Sequence, residues 1–157
     1  MNNVGLSFRI PNRYGNFLSD ILKPLPYNDF LWLIENNEIY KIIDDEFLNE
    51  GLFKNSNNLL PGDELLKLAN SCTQYMIFIT LKAFTKNGHI ISVRSYNEFL
   101  YSDCQIILGV YDCSDVMLWF KDRTLASILY NYFQDKAYDN LSYITEADLL
   151  EGKYCLE

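Results

Sequence analysis

Gln105-Ile106-Ile107-Leu108-Gly109-Val110-Tyr111, then Asp112-Cys113-Ser114-Asp115, then Val116-Met117-Leu118-Trp119-Phe120, is the stretch that decides the fold class. Two apolar runs, rich in β-branched and aromatic residues, flank a short polar segment. That pattern predicts a hairpin around Cys113-Ser114. Almost every position in each run is apolar. A hairpin pairs its strands antiparallel, so the fold class rests on how many more hairpins lie outside this one.

Upstream, Tyr75 to Phe84 reads as a long strand. Asn87-Gly88 behind it is the strongest two-residue turn signal in the chain, and Ile90 to Arg94 is the expected return strand. Phe30 to Ile34 and Ile39 to Ile43 flank Asn36-Asn37, which predicts another hairpin because Asn tolerates positive φ. Val4, Leu6, Phe8 and Ile10 alternate with small or polar residues, the period of a half-buried strand. Downstream, Leu141 to Ile144 supplies a last short strand.

Helical spacing separates these strands. Tyr14, Phe17, Leu18, Ile21 and Leu22 form one apolar stripe, with Asn12 as the expected cap and Pro24 as the stop. Leu65, Leu68, Ala69 and Cys72 mark a helix over 63–72 entered through Pro61-Gly62-Asp63. Ser95 or Asn97 caps a short helix through Phe99 and Leu100. Asp122 caps one with Leu125, Ile128, Leu129, Tyr132 and Phe133 on its inner face. Thr145-Glu146-Ala147-Asp148 has the form of a capping box. Asn55-Ser56-Asn57-Asn58 is a surface loop, and the rest of 47–60 fits no single pattern. Hairpins dominate the order. The expectation is an α+β domain, a largely antiparallel sheet with helices mainly on one face. With 157 residues and no linker, 1–157 reads as one domain. A faint internal echo, Tyr14 to Asp20 against Tyr96 to Asp103, is what a duplicated β-α-β-β unit, or coincidence, produces.

Composition excludes several functions. Twenty-one acids against thirteen Lys and Arg leave a formal charge of −8, which disfavours wrapping nucleic acid or adhering to anionic membrane. No apolar run approaches the ~18 residues of a spanning helix. No basic-then-apolar leader follows Met1, so the expected location is cytoplasmic. Cys72, Cys104, Cys113 and Cys155 form no C-x-x-C pair and suit buried, reduced thiols. No phosphate loop or nucleophile elbow occurs, so no cofactor is expected.

The acid is unevenly placed. Residues 35–66 carry eight acids against two bases, and residues 101–157 ten against four. Residues 1–34 and 67–100 are slightly basic, at three bases to two acids and four to one. Asp44, Asp45, Glu46 and Glu50 follow a strand, and Asp112 and Asp115 flank the decisive turn. The plain reading is a solvated surface and Asx turns. The sharper one is an acidic patch that steers a basic protein partner. None of these residues shows calcium-loop spacing, and no catalytic or metal site is expected among them. His89, the only imidazole, sits beside the predicted Asn87-Gly88 turn, without an orienting group in view. The aromatics fall mostly on core positions, yet twelve Tyr exceed what a core takes up; the plain reading is that Tyr at strand ends is amphipathic, the sharper one that exposed Tyr suits a protein contact.

Several stretches resemble a family of small, uncharacterised bacterial proteins, mostly from Gram-positive species. They are Gly5 to Gly15, Ile21-Leu22-Lys23-Pro24, Ser102-Asp103-Cys104, Phe120-Lys121-Asp122 and Tyr143-Ile144-Thr145-Glu146. The resemblance implies a full-length domain of bacterial origin and brings no activity with it. The functional expectation is therefore a non-enzymatic, acidic protein-binding module, of an inhibitory or immunity type. The alternatives are a small enzyme with a carboxylate or cysteine site built from distant residues, and a homodimer using a sheet edge or helix face.

Overall fold

A computed structural model describes residues 2–53 and 58–156; Asn55, Ser56 and Asn57 of the expected surface loop lie outside them. The described chain contains one eight-stranded sheet. Its strands are β1 (Asn3–Arg9), β2 (Phe30–Ile43), β3 (Glu46–Gly51), β4 (Leu59–Pro61), β5 (Thr73–Thr85), β6 (Cys104–Tyr111), β7 (Asp115–Phe120) and β8 (Asp139–Thr145). They run in the order β3-β2-β5-β6-β7-β1-β8, with β4 sharing the β2 edge, and every ladder is antiparallel. The helices are α1 (Phe17–Leu22), α2 (Gly62–Asn70), α3 (Tyr96–Tyr101), α4 (Leu125–Asp135) and α5 (Glu146–Leu150). The fold class is α+β, as the hairpin pattern implied.

Both faces of the sheet are packed, unequally. Ile106, Leu108 and Val110 of β6 point into a large core with Leu18 and Ile21 of α1, Leu65 of α2, and Leu129 and Phe133 of α4. Ile107, Met117, Trp119 and Ile144 point the other way, toward Tyr96 and Phe99 of α3 and Leu149 of α5. This double coverage is why β6 and β7 read as continuous apolar runs. The large face carries three helices and the second face two short ones.

The decisive hairpin turns one residue earlier than its composition suggests. Asp112 and Cys113 are the two positive-φ residues, and Ser114 N–H closes the turn on Tyr111 O at 3.2 Å. Two successive left-handed residues are what a primed turn requires. The ladder closes one residue further on, with Tyr111 opposite Asp115, so Ser114 is an extra residue between the turn and β7.

Two expected hairpins do not form. Asn36 has φ 48°, but Asn37 is not left-handed, so the Asn pair makes a bulge and β2 runs straight through it along β5. Asn87-Gly88 does end β5, with Gly88 N–H bonded to Thr85 O. Residues 90–94 cannot return beside β5, because β2 and β6 already occupy both of its edges. They cross the second face instead, where Val93 is buried and its carbonyl accepts from Lys82 Nζ at 2.7 Å. The ambiguous region after residue 47 supplies β3 and β4 on the outer edge of β2.

Helix ends follow local chemistry closely. Ser95 Oγ accepts from Glu98 N–H at 3.2 Å, and Thr145 with Asp148 forms the reciprocal capping box of α5. Asp122 Oδ1 accepts from Thr124 N–H and holds the turn that leads into α4. Asn12 does not cap α1: its Oδ1 accepts from Tyr75 OH at 2.7 Å, and Gly15 bridges to Gln74, so residues 12–16 belong to the β5 side of the molecule. The echoing segments differ in topology. β5 and β6 flank α3 and pair with each other, whereas β1 and β2 flank α1 and lie four strands apart.

Candidate functional site

The acidic residues singled out from sequence all lie at one end of the sheet. Asp44 and Asp45 are both left-handed, at φ 52° and 61°, and form the tight turn that joins β2 to β3. Ion-dipole chemistry explains the choice of residue, since Asp tolerates this conformation by bonding local backbone. Glu46 and Glu50 follow on β3, whose six residues are all exposed. Glu50 pairs with Lys41 across the ribbon at 3.4 Å. Asp112 sits in the β6–β7 turn, and Asp115 pairs with Arg9 at 3.1 Å.

The structure does not bring the two groups into one cluster. Ile42 lies opposite Thr73 of β5, whereas Cys113 N–H bonds Ile77 O. Four residues of strand and two strand spacings separate the tips by roughly 15–20 Å. The β2–β3 ribbon thus projects past the β6–β7 turn as a separate tip. Its apolar residues are the feature that sequence reasoning passed over. Ile43, Phe47 and Leu48 are 46, 42 and 40% exposed, directly beside Asp44, Asp45 and Glu46. Phe47 leans on Tyr40, with ring centroids 5.2 Å apart. A signal was present: Phe47-Leu48 is an apolar pair inside an acidic, Asn-rich run with no helical or strand partner in sequence.

Most of the tyrosines are half-buried, as amphipathic side chains at strand ends are. Only Tyr14 and Tyr101 are exposed to a large extent. The others pack their rings, as Tyr130 does on Tyr143 at 4.5 Å and Tyr138 on Phe8 at 5.3 Å. Tyr96 is buried against Trp119, and its OH donates to Glu146 at 2.7 Å. Burial, then the bond to Glu146, pushes that phenol above its ordinary range.

The four cysteines are free thiols. Cys104 is fully buried, and burial pushes its thiol up to about 12, against the opposing pull of Lys82 and Lys121. It is not a thiolate nucleophile at neutral pH. Iodoacetamide at neutral pH is expected to modify exposed Cys155 first, Cys72 and Cys113 more slowly, and Cys104 only after denaturation. Peptide mass spectrometry reads the order, and rapid labelling of Cys104 in the native protein would contradict its burial. His89 is exposed; its backbone N–H, not its ring, is held, by Asp103 Oδ2 at 2.8 Å. Among the described residues no helix is long and apolar enough to cross a membrane.

The chain, with its α+β fold, belongs to a defined family. The chain matches the model described as a protein of unknown function (DUF2691) over residues 3–155, and it is a member of that family. It is similar to the uncharacterized protein YncE of Bacillus subtilis (strain 168), at 32% identity over 144 residues, covering 92% of this chain and 93% of that protein. No solved structure matches it.

Proposed function

We infer that the chain is a non-enzymatic protein-binding module of the bacterial cytoplasm, inhibitory or immunity-type, whose β2–β3 tip receives a basic protein partner. One observation supports this reading above the others: Ile43, Phe47 and Leu48 stand exposed in a frame of Asp44, Asp45, Glu46 and Glu50. A solvated surface has no use for three large apolar side chains at a projecting tip. A protein interface uses both parts, the apolar centre for burial and the charged rim for steering and register. A standard interface buries about 800 Å² per partner, wide enough to reach Asp112 and Asp115 as well. The bulge that places Leu48, Asn49 and Glu50 against Lys41 alone, with Asn49 at φ 55°, breaks the regular edge. Contact is therefore through side chains rather than by adding a strand, since bulged edges pair poorly.

Affinity capture from lysate of the source bacterium tests the reading. A partner of basic character is expected to be retained at about 0.1 M salt and largely released at about 0.5 M. The triple change Asp44→Asn, Asp45→Asn, Glu46→Gln is expected to weaken capture about tenfold or more. Phe47→Ser is expected to abolish it at either salt while leaving the fold intact. Equal retention by the triple variant and the parent would remove this reading.

A further inference from the structure

Two bulges open the sheet where β2 meets β5. Glu35 lies opposite Thr80 and Glu38 opposite Phe78, so β2 carries one extra residue between them. Ile39 then lies opposite Met76, so β5 carries one extra residue between Phe78 and Met76. A bulge interrupts close pairing and re-aims the side chains around it. At this point of the sheet an open cavity of about 390 Å³ is lined by Asn36, Asn37, Glu38, Phe78 and Tyr111.

Two aromatic rings form part of its wall. Phe78 is half-buried, yet among the described residues it packs with neither of the two apolar cores. Its ring therefore offers surface to the cavity that the core does not use. Tyr111 is the second ring, also half-buried. Gly109 makes room for it, since a Cβ there would lie 2.5–2.7 Å from the Tyr111 ring and hydroxyl.

The remaining charged wall is a carboxylate. Glu38 lies across from Phe78 on the neighbouring strand and is exposed. Among the described residues it has no ion-pair partner, whereas Glu35 is held by Lys82 and Glu50 by Lys41. No lysine, arginine or histidine lines the cavity. Arg9 lines the cavity on the other side of Tyr111 and is paired there with Asp115. Two ring surfaces and one unpaired carboxylate around a single cavity complement an organic cation, which ring faces attract as the carboxylate does. An anion is repelled by Glu38, and a neutral ligand gains nothing from its charge. A bare metal ion needs several oxygen ligands, and the described residues form no such group. We propose that the cavity between the β2 and β5 bulges is a binding site for a small organic cation, an alkylammonium or guanidinium. The site uses none of Asp44, Asp45, Glu46 or Phe47 and does not depend on the protein-binding reading.

Nitrogen-15 heteronuclear NMR of the full chain tests it. The probes are tetramethylammonium, butylammonium and ethylguanidinium chlorides, each to about 100 mM at constant ionic strength made up with sodium chloride. Butanol and ethylurea are the neutral counterparts of the last two. At least one cation is expected to shift the amides of Glu38, Phe78 and Tyr111 along a saturating curve. Butanol and ethylurea are expected to bind at least about tenfold more weakly than their charged counterparts, or not to saturate. Glu38→Gln changes an exposed side chain and is expected to weaken binding about threefold. Phe78→Leu, outside both cores, is expected to weaken it about threefold as well, and the two together about tenfold. The triple change at the β2–β3 tip is expected to leave the affinity within about twofold of the parent. The proposal is overturned if no organic cation gives saturable shifts at these amides. It is equally overturned if butanol and ethylurea bind as well as the cations, or if the Glu38→Gln, Phe78→Leu double variant binds like the parent.

Discussion

Trp119→Ala is expected to lower the unfolding free energy by about 3–5 kcal/mol, the range for emptying a large buried aromatic site. Trp119 is 1% exposed and stands at the centre of the second face. Tyr96 and Phe99 of α3 meet its ring edge-on, with centroids 5.9 and 5.8 Å away. α3 is six residues long, far below the length at which a helix holds itself together in water. Its helicity is therefore borrowed from this contact, and losing the indole releases the helix as well as leaving a void. For a domain of this size each kcal/mol moves the melting temperature by about 2–4 °C, so circular dichroism is expected to record a fall of about 6–20 °C. A change under about 2 °C would show that the second face does not contribute to the core. Conservative variants sharpen the point. Trp119 Nε1 has no hydrogen-bond partner among the described residues, so Trp119→Phe removes bulk alone and is expected to cost about 1 kcal/mol. Trp32 Nε1 donates to Tyr27 O at 2.9 Å. Trp32→Phe loses that bond too and leaves a carbonyl unpaired, adding about 1 kcal/mol or more.

Hairpins were legible wherever the local signal and the global topology agreed. The β6–β7 turn is one case, since both its strands are apolar and both have free edges to share. Asn36-Asn37 and Asn87-Gly88 are the opposite case. Each dipeptide permits a tight turn, yet a turn becomes a hairpin only if the returning strand finds an open edge. Around β5 both edges are taken, one by β2, which lies about forty residues upstream, and the other by β6, which follows α3. That competition is a property of the whole sheet and leaves no mark on residues 87–94 themselves. The same dipeptide chemistry then serves another end, a bulge in β2 and a chain reversal at the end of β5.

The candidate sites divide along the same line. Asp44, Asp45, Glu46, Glu50, Asp112 and Asp115 could be picked out because turn acids are visible as local patterns. That they form two tips rather than one surface depends on the stagger of β2 against β6, which only the register supplies. The layering of the second face was less visible still. Gly109 within an apolar strand, and Thr80 and Lys82 at alternate positions of β5, are the marks it leaves in the chain. Each has an ordinary explanation taken alone. They acquire a common meaning when β5, β6 and β7 are laid side by side and Thr80, Gly109 and Met117 fall in one row.

Gly62→Ala is the second change expected to have a large effect, and it acts on the opposite face. Gly62 opens α2 directly after Pro61, and it packs on the backbone of the short 3₁₀ turn Tyr27–Asp29. A Cβ there would lie 1.7 Å from Tyr27 O and 2.4 Å from its carbonyl carbon. Both are backbone atoms, so no side chain can swing aside to admit the methyl group. The same carbonyl accepts from Trp32 Nε1, and Trp32 is fully buried under α2. Relief must therefore come from moving the start of α2 away from the turn, which opens the core around Leu65 and strains the Trp32 bond together. Overpacking of this kind costs about 1–3 kcal/mol when the neighbours yield, and a backbone wall places the expected loss at about 3 kcal/mol. That corresponds to a melting temperature lower by about 6–12 °C. The substitution also raises helix propensity and lowers the entropy of the unfolded chain, effects worth up to about 1 kcal/mol in its favour. Packing and propensity thus predict opposite signs at one residue. Thermal and urea denaturation of Gly62→Ala decide between them, and an increase in stability would mean that α2 does not sit against Tyr27 as the fold requires.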